Sequence, residues 1–450
     1  MTLTPEQVRE AVDKELPRVR ADLERLIRIP GIAFAGFDHR ILQQSAEAVA
    51  EVLREAGLPD VRVVRAGGQP AVIGRRPAPP GAPVVLLYAH HDVQPVGELA
   101  QWLSDPFEPT ERDGRLYARG AGDDKSGIMT HVAALRALGD DLSVGVVVFV
   151  EGEEEYGSAS LERLIHECRD DLAADCIVIA DSMNQAVGEP AFTTGLRGLV
   201  NAFVEIRTLD HAVHSGLFGG AVPDALTTLC RLLATLHDQN GNVAIAGLHH
   251  GERATADYPE ERLRRDAGVL DGTRILGDVP VADQLWTRPA VAVVGLDAPS
   301  TQEAPNALTA TACAKVSMRI APGDSTESAF AALQRHCETL APWGAEVTVT
   351  LDHGGEPSMV ASEGPAYAVA REAWADAYDG AGPVAIGLGG SIPFIATFQQ
   401  AFPQAEILIT GAVDPDSRAH GPNESLHLGD FARSCLAEAL FLNLMGKRSR

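Results

Sequence analysis

Short, wholly apolar runs recur through the first 180 residues, and each is too brief for a helix. "VRVV" (61–64), "AVIG" (71–74), "VVLLYA" (84–89), "VGVVVFV" (144–150) and "CIVIA" (176–180) read as strands, the longer ones buried. Amphipathic helical stretches lie between them. "AEAVAEVLREAGLP" closes at Gly57 and Pro59, and "KSGIMTHVAALRALG" carries Ile128, Met129, Val132 and Leu135 on one stripe with Gly139 past its end. Near the start, Thr4-Pro5-Glu6-Gln7 has the form of a capping box with proline at the first helical position. Strands that alternate with helices in this way predict an α/β sheet.

Near residue 195 the pattern changes. "TTGLRGLVNAFVEIRTLD" reads as one alternating strand, "PDALTTLCRLLATLHD" as a helix and "TACAKVSMRIAP" as a strand. "STESAFAALQRHCETLAP" then reads as a helix and "AEVTVTLDHG" as a strand. This order suits a smaller α+β domain of ferredoxin-like type. Between its halves, residues 239–300 are rich in Gly, Asp and Pro and read as irregular. From about residue 356 the first pattern resumes with "AYAVAREAWADAYDG" and the strand "AEILITG". The expected division is therefore one domain from 1–195 and 356–450, with a second, 196–355, inserted into it.

Composition narrows the function. A formal net charge of −25 opposes a phosphate polymer or an anionic membrane, so neither nucleic acid nor membrane is an expected partner. No apolar run reaches the roughly eighteen residues of a membrane span. The charged N-terminus lacks the apolar core of a secretion signal, which predicts a cytoplasmic protein. Cys168, Cys176, Cys230, Cys313, Cys337 and Cys435 stand singly, indicating neither a disulfide framework nor a thiolate metal site.

One chemistry recurs just past the strands. His90, His91 and Asp92 follow "VVLLYA"; Glu151, Glu153, Glu154 and Glu155 follow "VVVFV"; Asp181 follows "CIVIA"; His420 comes after "AEILITG". Asp123 and Asp124 open a helix in "YARGAGDDKSG". Taken singly, each has an ordinary explanation: a solvated acidic loop, a helix N-cap, a surface histidine. Together they converge on the carboxyl edge of one sheet, where ligands of open α/β sheets bind. So many carboxylates gathered without cations would cost several kcal/mol in repulsion and desolvation. Nitrogen and oxygen donors without thiolate suit Zn²⁺ or Mn²⁺, and two histidines are too few for two separate zinc sites. Two ions sharing a carboxylate resolve the conflict.

The segments "AHHDVQP", "RGAGDDKSG", "EGEEEYGS", "DSMNQ…GLRG", "HSGLFGG", "GLGGSIP" and the late His420 occur in this order. Together they resemble the dinuclear zinc peptidases that include carnosine dipeptidases, aminoacylases and carboxypeptidase G, over roughly residues 15–440. "HHDVQP" and "GGSIP" are most similar to the carnosine-dipeptidase branch. The fold implied is an α/β, phosphorylase/hydrolase-like mixed-sheet catalytic domain with an inserted α+β ferredoxin-like lid and dimerisation domain.

The resemblance also implies roles. His90 and Asp181 would hold one ion, Glu155 and His420 the other, and Asp123 would bridge them, with a cis peptide after it. His91 would be a spacer, and Asp92 would orient His90. Glu154 would act as general base on a water activated by the two metal ions, and His214 would stabilise the oxyanion, usually across a homodimer interface. Glu151 and Glu153 acquire no role. Arg319, Gly390 and Ser391 would hold a substrate's C-terminal carboxylate. Asn306 stands at a substrate-side position, although "PNALTA" lacks the proline that often follows, and "DHAVHSG" departs from the commoner D-L-H-S-G. Aspartate at position 181 is the peptidase form, so hydrolysis of dipeptides or short peptides is expected, with N-acyl amino acid deacylation as the alternative on the same scaffold. A catalytically silent binding protein would lack Glu154 or a ligand, and here all are present.

Overall fold

The structure is a computed structural model that describes residues 3–389 and 393–448. The chain divides into two compact units. The first contains the residues up to Thr194, Val360–Ala385 and the chain from Pro393 onward; the second contains Gly195–Met359 and a short return that begins at Ile386.

The first unit is built on a six-stranded mixed sheet, in the order Asp60–Val64, Ala71–Arg76, Gly145–Glu151, Val84–His90, Cys176–Ile179 and Glu406–Ile409. The last four strands run parallel to one another, and the first two are antiparallel additions at one edge. Every residue of Gly145–Glu151 is buried, as the unbroken apolar run requires of a central strand. Helices Pro5–Ile27, Lys125–Leu138 and Leu428–Arg448 pack against one another, and Lys125–Leu138 lies on Val84–His90. The first of these helices starts with the capping box read from Thr4 and Gln7. Helix Pro393–Ala401 brings Phe394 to within 4.1 Å of the Tyr88 ring centroid, and Phe398 packs edge-on against Tyr88 and Phe149.

The second unit is a four-stranded antiparallel sheet in the order Ala290–Asp297, Thr311–Ile320, Gly198–Arg207 and Glu346–Gly355. Helices Ala225–Leu233 and Thr326–Thr339 pack on the face that carries Val200, Val204, Val316 and Met318. Along the chain this is strand–helix–strand–strand–helix–strand, the split βαβ order.

Two sequence expectations change. "TTGLRGLVNAFVEIRTLD" is two strands, Ala191–Leu196 and Gly198–Arg207, interrupted at Arg197. The buried Arg197 guanidinium donates to the carbonyls of Gln284 and Arg288. A Cβ on the adjoining Gly198 would stand 2.6 Å from the Gly355 carbonyl, so the backbones close in where the strand breaks. The segment 239–300, expected to be irregular, contains helices Glu260–Asp266 and Val281–Trp286 and the strand Ala290–Asp297. That strand is an edge, paired on one side and mostly exposed, so no alternation of polarity marks it.

Candidate metal centre

The parallel strands of the first unit end together and deliver their acidic and imidazole residues to one place. His90 closes Val84–His90 and is fully buried. Its Nδ1 lies 3.1 Å from the Asp92 backbone carbonyl, which can only accept, so Nδ1 carries a proton and Nε2 is the nitrogen turned to the carboxylates. Nε2 stands 3.0 Å from Asp123 Oδ1, 3.8 Å from Asp181 Oδ1 and 4.0 Å from Glu154 Oε2. From the other side, His420 Nε2 lies 3.0 Å from Asp123 Oδ2 and 3.2 Å from Glu155 Oε2. Two donor trios result, His90–Asp123–Asp181 and Asp123–Glu155–His420, each with its ligand atoms within 4.8 Å of one another. Asp123 belongs to both and gives one oxygen to each.

Helix Lys125–Leu138 separates the two aspartates at its start. Asp124 is its N-cap, accepting from Gly127 N at 3.2 Å and from His90 N at 3.3 Å, while Asp123 faces the imidazoles. The peptide between them is cis. Lys125 turns inward and donates to the carbonyls of Leu26 and Ile29, and burial pulls its amine down to about 7.

The glutamates of "EGEEE" have separate surroundings. Glu151 accepts from Tyr88 OH at 2.7 Å, and burial pushes it up to about 7. Glu153 accepts from Gln69 N and Ser160 N and shapes the loop. Glu154 points toward the donor trios, and Glu155 is gripped by Gln94 through its backbone and side-chain amides at 3.1 and 2.7 Å. The Asp92 carboxylate accepts from Glu154 N and Glu155 N, both at 3.1 Å, and its Oδ1 stands 3.5 Å from His90 Nδ1. His91 turns away: its Nε2–H donates to the Pro70 carbonyl, and burial holds the ring down to about 4.

These charges do not balance within the protein. Burial pushes Glu154, Glu155 and Asp181 upward, reinforced by the neighbouring carboxylates. Asp123 is held low because its hydrogen bonds with His420 and His90 outweigh its burial. His420 is pushed up to about 10 by its hydrogen bonds with Asp123 and Glu155. Protons on two imidazoles cannot neutralise four converging carboxylates; two divalent cations would, by displacing those protons. The oxygen and nitrogen donors, the His90 Nε2 turned toward the carboxylates and the shared Asp123 all fit such ions.

Sequence reasoning missed Gln94, Arg119 and Glu424. Glu424 accepts from Gly122 N and Asp123 N, and it pairs with Arg119 at 2.6 Å. Gln94 and Arg119 lie within segments already singled out, yet a side chain that grips backbone or a distant carboxylate leaves no distinctive spacing.

His214, Asn306 and Arg319, expected on the substrate side, belong to the second unit. Strand Val213–His214 pairs with Ala307–Leu308, and Ser215 donates to the Asn306 carbonyl through both its amide and its hydroxyl. His214 is exposed, and its Nδ1 accepts from Gly216 N at 3.0 Å, which leaves Nε2–H free to donate. Arg319 is half-buried, with no carboxylate partner among the described residues, and burial lowers its guanidinium. Burial also pulls Arg197 down to about 10, with the Arg319 charge adding to the effect. Gly390 and Ser391 lie outside the described residues.

A family model described as peptidase family M20/M25/M40 matches residues 86–443. The chain is 36% identical to a cysteinylglycine-S-conjugate dipeptidase of Corynebacterium striatum over 411 residues, 90% of each protein. It is 29% identical to the Beta-Ala-His dipeptidase of Rattus norvegicus, over 95% of this chain and 89% of that one. Its fold is similar to the crystal structure of human carnosine dipeptidase 1, with a TM-score of 0.82 and 25% identity over 98% of this chain and 99% of that one.

Proposed function

This chain belongs to peptidase family M20/M25/M40, and from that premise we propose that it hydrolyses dipeptides and short peptides bearing a free C-terminal carboxylate. One observation carries the reading. Asp123 turns one carboxylate oxygen to His90 and the other to His420, each at 3.0 Å, as a bridge between two cations requires. His90 and Asp181 would hold one divalent ion, Glu155 and His420 the other, with Zn²⁺ or Mn²⁺ matching the donors. When bound, the ions acidify water and polarise the scissile carbonyl.

The chain's own residues supply the rest. The Glu154 carboxylate, pushed up by its burial, takes a proton from the attacking water and passes it to the leaving amine. Asp92 fixes the backbone that carries Glu154 and Glu155. The free Nε2–H of His214 is a donor suited to the oxyanion, and Arg319, beside Arg197 and without a carboxylate partner among the described residues, suits a carboxylate; Asn306, Gly390 and Ser391 would complete the substrate side. The same reading has the chain work as a cytoplasmic homodimer joined through the second unit.

N-acyl amino acid deacylation is the second reading. Aspartate at position 181 and the dipeptidase relatives favour peptides over acylated amino acids. The test incubates metal-loaded protein with Cys-Gly, an S-substituted Cys-Gly, β-Ala-His and a panel of N-acetyl amino acids, in wild type and Glu154→Ala. Dipeptide turnover by the wild type is expected, with two ions retained and activity lost in the variant. Turnover of the N-acetyl panel alone rejects the peptidase reading.

A further inference from the structure

We propose that Arg119 and Glu424 are positioning residues that set the spacing of the two cation sites, by tying three of the five ligand-bearing segments to one buried ion pair. The inference rests on the reading that Asp123 bridges two ions. Both side chains are shut away from water, 1% and 0% exposed, and neither is among the donor trios. One oxygen of Glu424 accepts from Gly122 N at 3.0 Å and Asp123 N at 3.1 Å, so it holds the backbone of the bridging residue itself. The other oxygen takes Arg119 Nη1 at 2.6 Å. Arg119 Nη2 then reaches the carbonyl of His420 at 3.1 Å and that of Pro95 at 3.3 Å. Ala118 N donates to the Glu424 carbonyl and closes the loop between the two strands of chain.

The segment of His90 and Gln94, the segment of Asp123, and the loop of His420 therefore meet at this pair without any donor atom taking part. A buried ion pair is a poor source of net stability, because desolvation offsets most of its attraction. What this one supplies is direction. The planar guanidinium spans two carbonyls and a carboxylate at once in a fixed fork that a lysine ammonium lacks. His420 has φ 65° and a side chain 58% exposed, so its ring depends on a tethered backbone to keep Nε2 facing Asp123. Partners of this kind, one step behind the ligands, orient metal sites and govern their affinity.

The test titrates buffered Zn²⁺ into the full-length wild type, Glu424→Gln and Arg119→Lys, and records the visible spectrum of each protein loaded with Co²⁺. Arg136→Lys is the control, since Arg136 forms a comparable ion pair with Asp22 away from the donors. Glu424→Gln is expected to weaken at least one of the two ions by about ten- to hundredfold and to alter the cobalt spectrum. Its kcat should recover at saturating metal with KM unchanged. Arg119→Lys should shift affinity in the same direction by less, and Arg136→Lys should lower Tm with both affinities intact. Wild-type affinity for both ions and an unchanged spectrum in the two variants overturn the proposal; if Glu424→Gln does not fold, Arg119→Lys decides by the same criterion. A wild-type protein that binds fewer than two ions instead refutes the dinuclear reading beneath it.

Discussion

Replacing Asp92 with asparagine separates two roles that this residue could play beside His90. If its carboxylate orients the imidazole, Asp92→Asn weakens the ion that His90 holds. The geometry points elsewhere. His90 Nδ1 lies nearer the Asp92 backbone carbonyl, at 3.1 Å, than its carboxylate oxygen, at 3.5 Å, and the substitution leaves that carbonyl in place. The two carboxylate oxygens instead each accept a backbone N–H at 3.1 Å, from Glu154 and Glu155. Asparagine can satisfy one of these and must turn its amide N–H toward the other, leaving a buried donor facing a donor. Losing one charge-assisted hydrogen bond costs about 1.5–3 kcal/mol, roughly ten- to hundredfold if it falls on the alignment of Glu154. The prediction is a kcat lowered by that factor at saturating metal, with the affinity for the ion that His90 would hold within about threefold of wild type. Initial rates on a dipeptide, run beside a chelator-buffered metal titration, give both numbers. A variant with full kcat at saturating metal and a tenfold or greater loss of metal affinity refutes the reasoning.

Burial holds His91 down to about 4, below its ordinary value near 6.5, so the unfolded chain binds the extra proton first as pH falls. Stability is therefore present in full above about pH 6.5 and lost toward pH 4, by up to roughly 3 kcal/mol; denaturant unfolding of His91→Gln should show a flatter pH dependence over that window, and equal slopes would exclude this role. If Arg319 holds the substrate carboxylate, Arg319→Lys should raise KM at least about tenfold for free dipeptides and leave KM for dipeptide amides unchanged, because only the carboxylate needs the guanidinium fork. Dialysis against a chelator should abolish activity and lower Tm, since ions that bind only the folded chain stabilise it; an unchanged Tm by calorimetry would contradict the charge imbalance at the centre. Asp123→Asn should lose affinity for both ions, whereas Asp181→Asn should spare the one that Glu155 and His420 would hold, as a metal titration would resolve.

The elements that sequence reading located are those whose signals are local. The apolar runs at 84–89, 144–150 and 176–180 correspond to strands Val84–His90, Gly145–Glu151 and Cys176–Ile179, because a central strand buried on both faces admits almost nothing polar. The capping box at Thr4 needs only residues three apart. The edge strand Ala290–Asp297 escaped notice because an exposed edge imposes no periodicity, and the break at Arg197 because the carbonyls it grips lie some ninety residues later.

The candidate centre divides along the same line. Donor types at strand ends, and the order of the motifs that carry them, are properties of the chain alone, and they pointed to cations and amide hydrolysis before any geometry. Where the Asp92 carboxylate spends its two oxygens, and how Glu424 reaches Asp123 across 301 residues, were decided only by the folded arrangement. The reason is physical. Hydrophobic burial and helix capping act between neighbours and leave a periodic trace, but a hydrogen bond from a side chain to distant backbone constrains two positions in space and none of the residues between them.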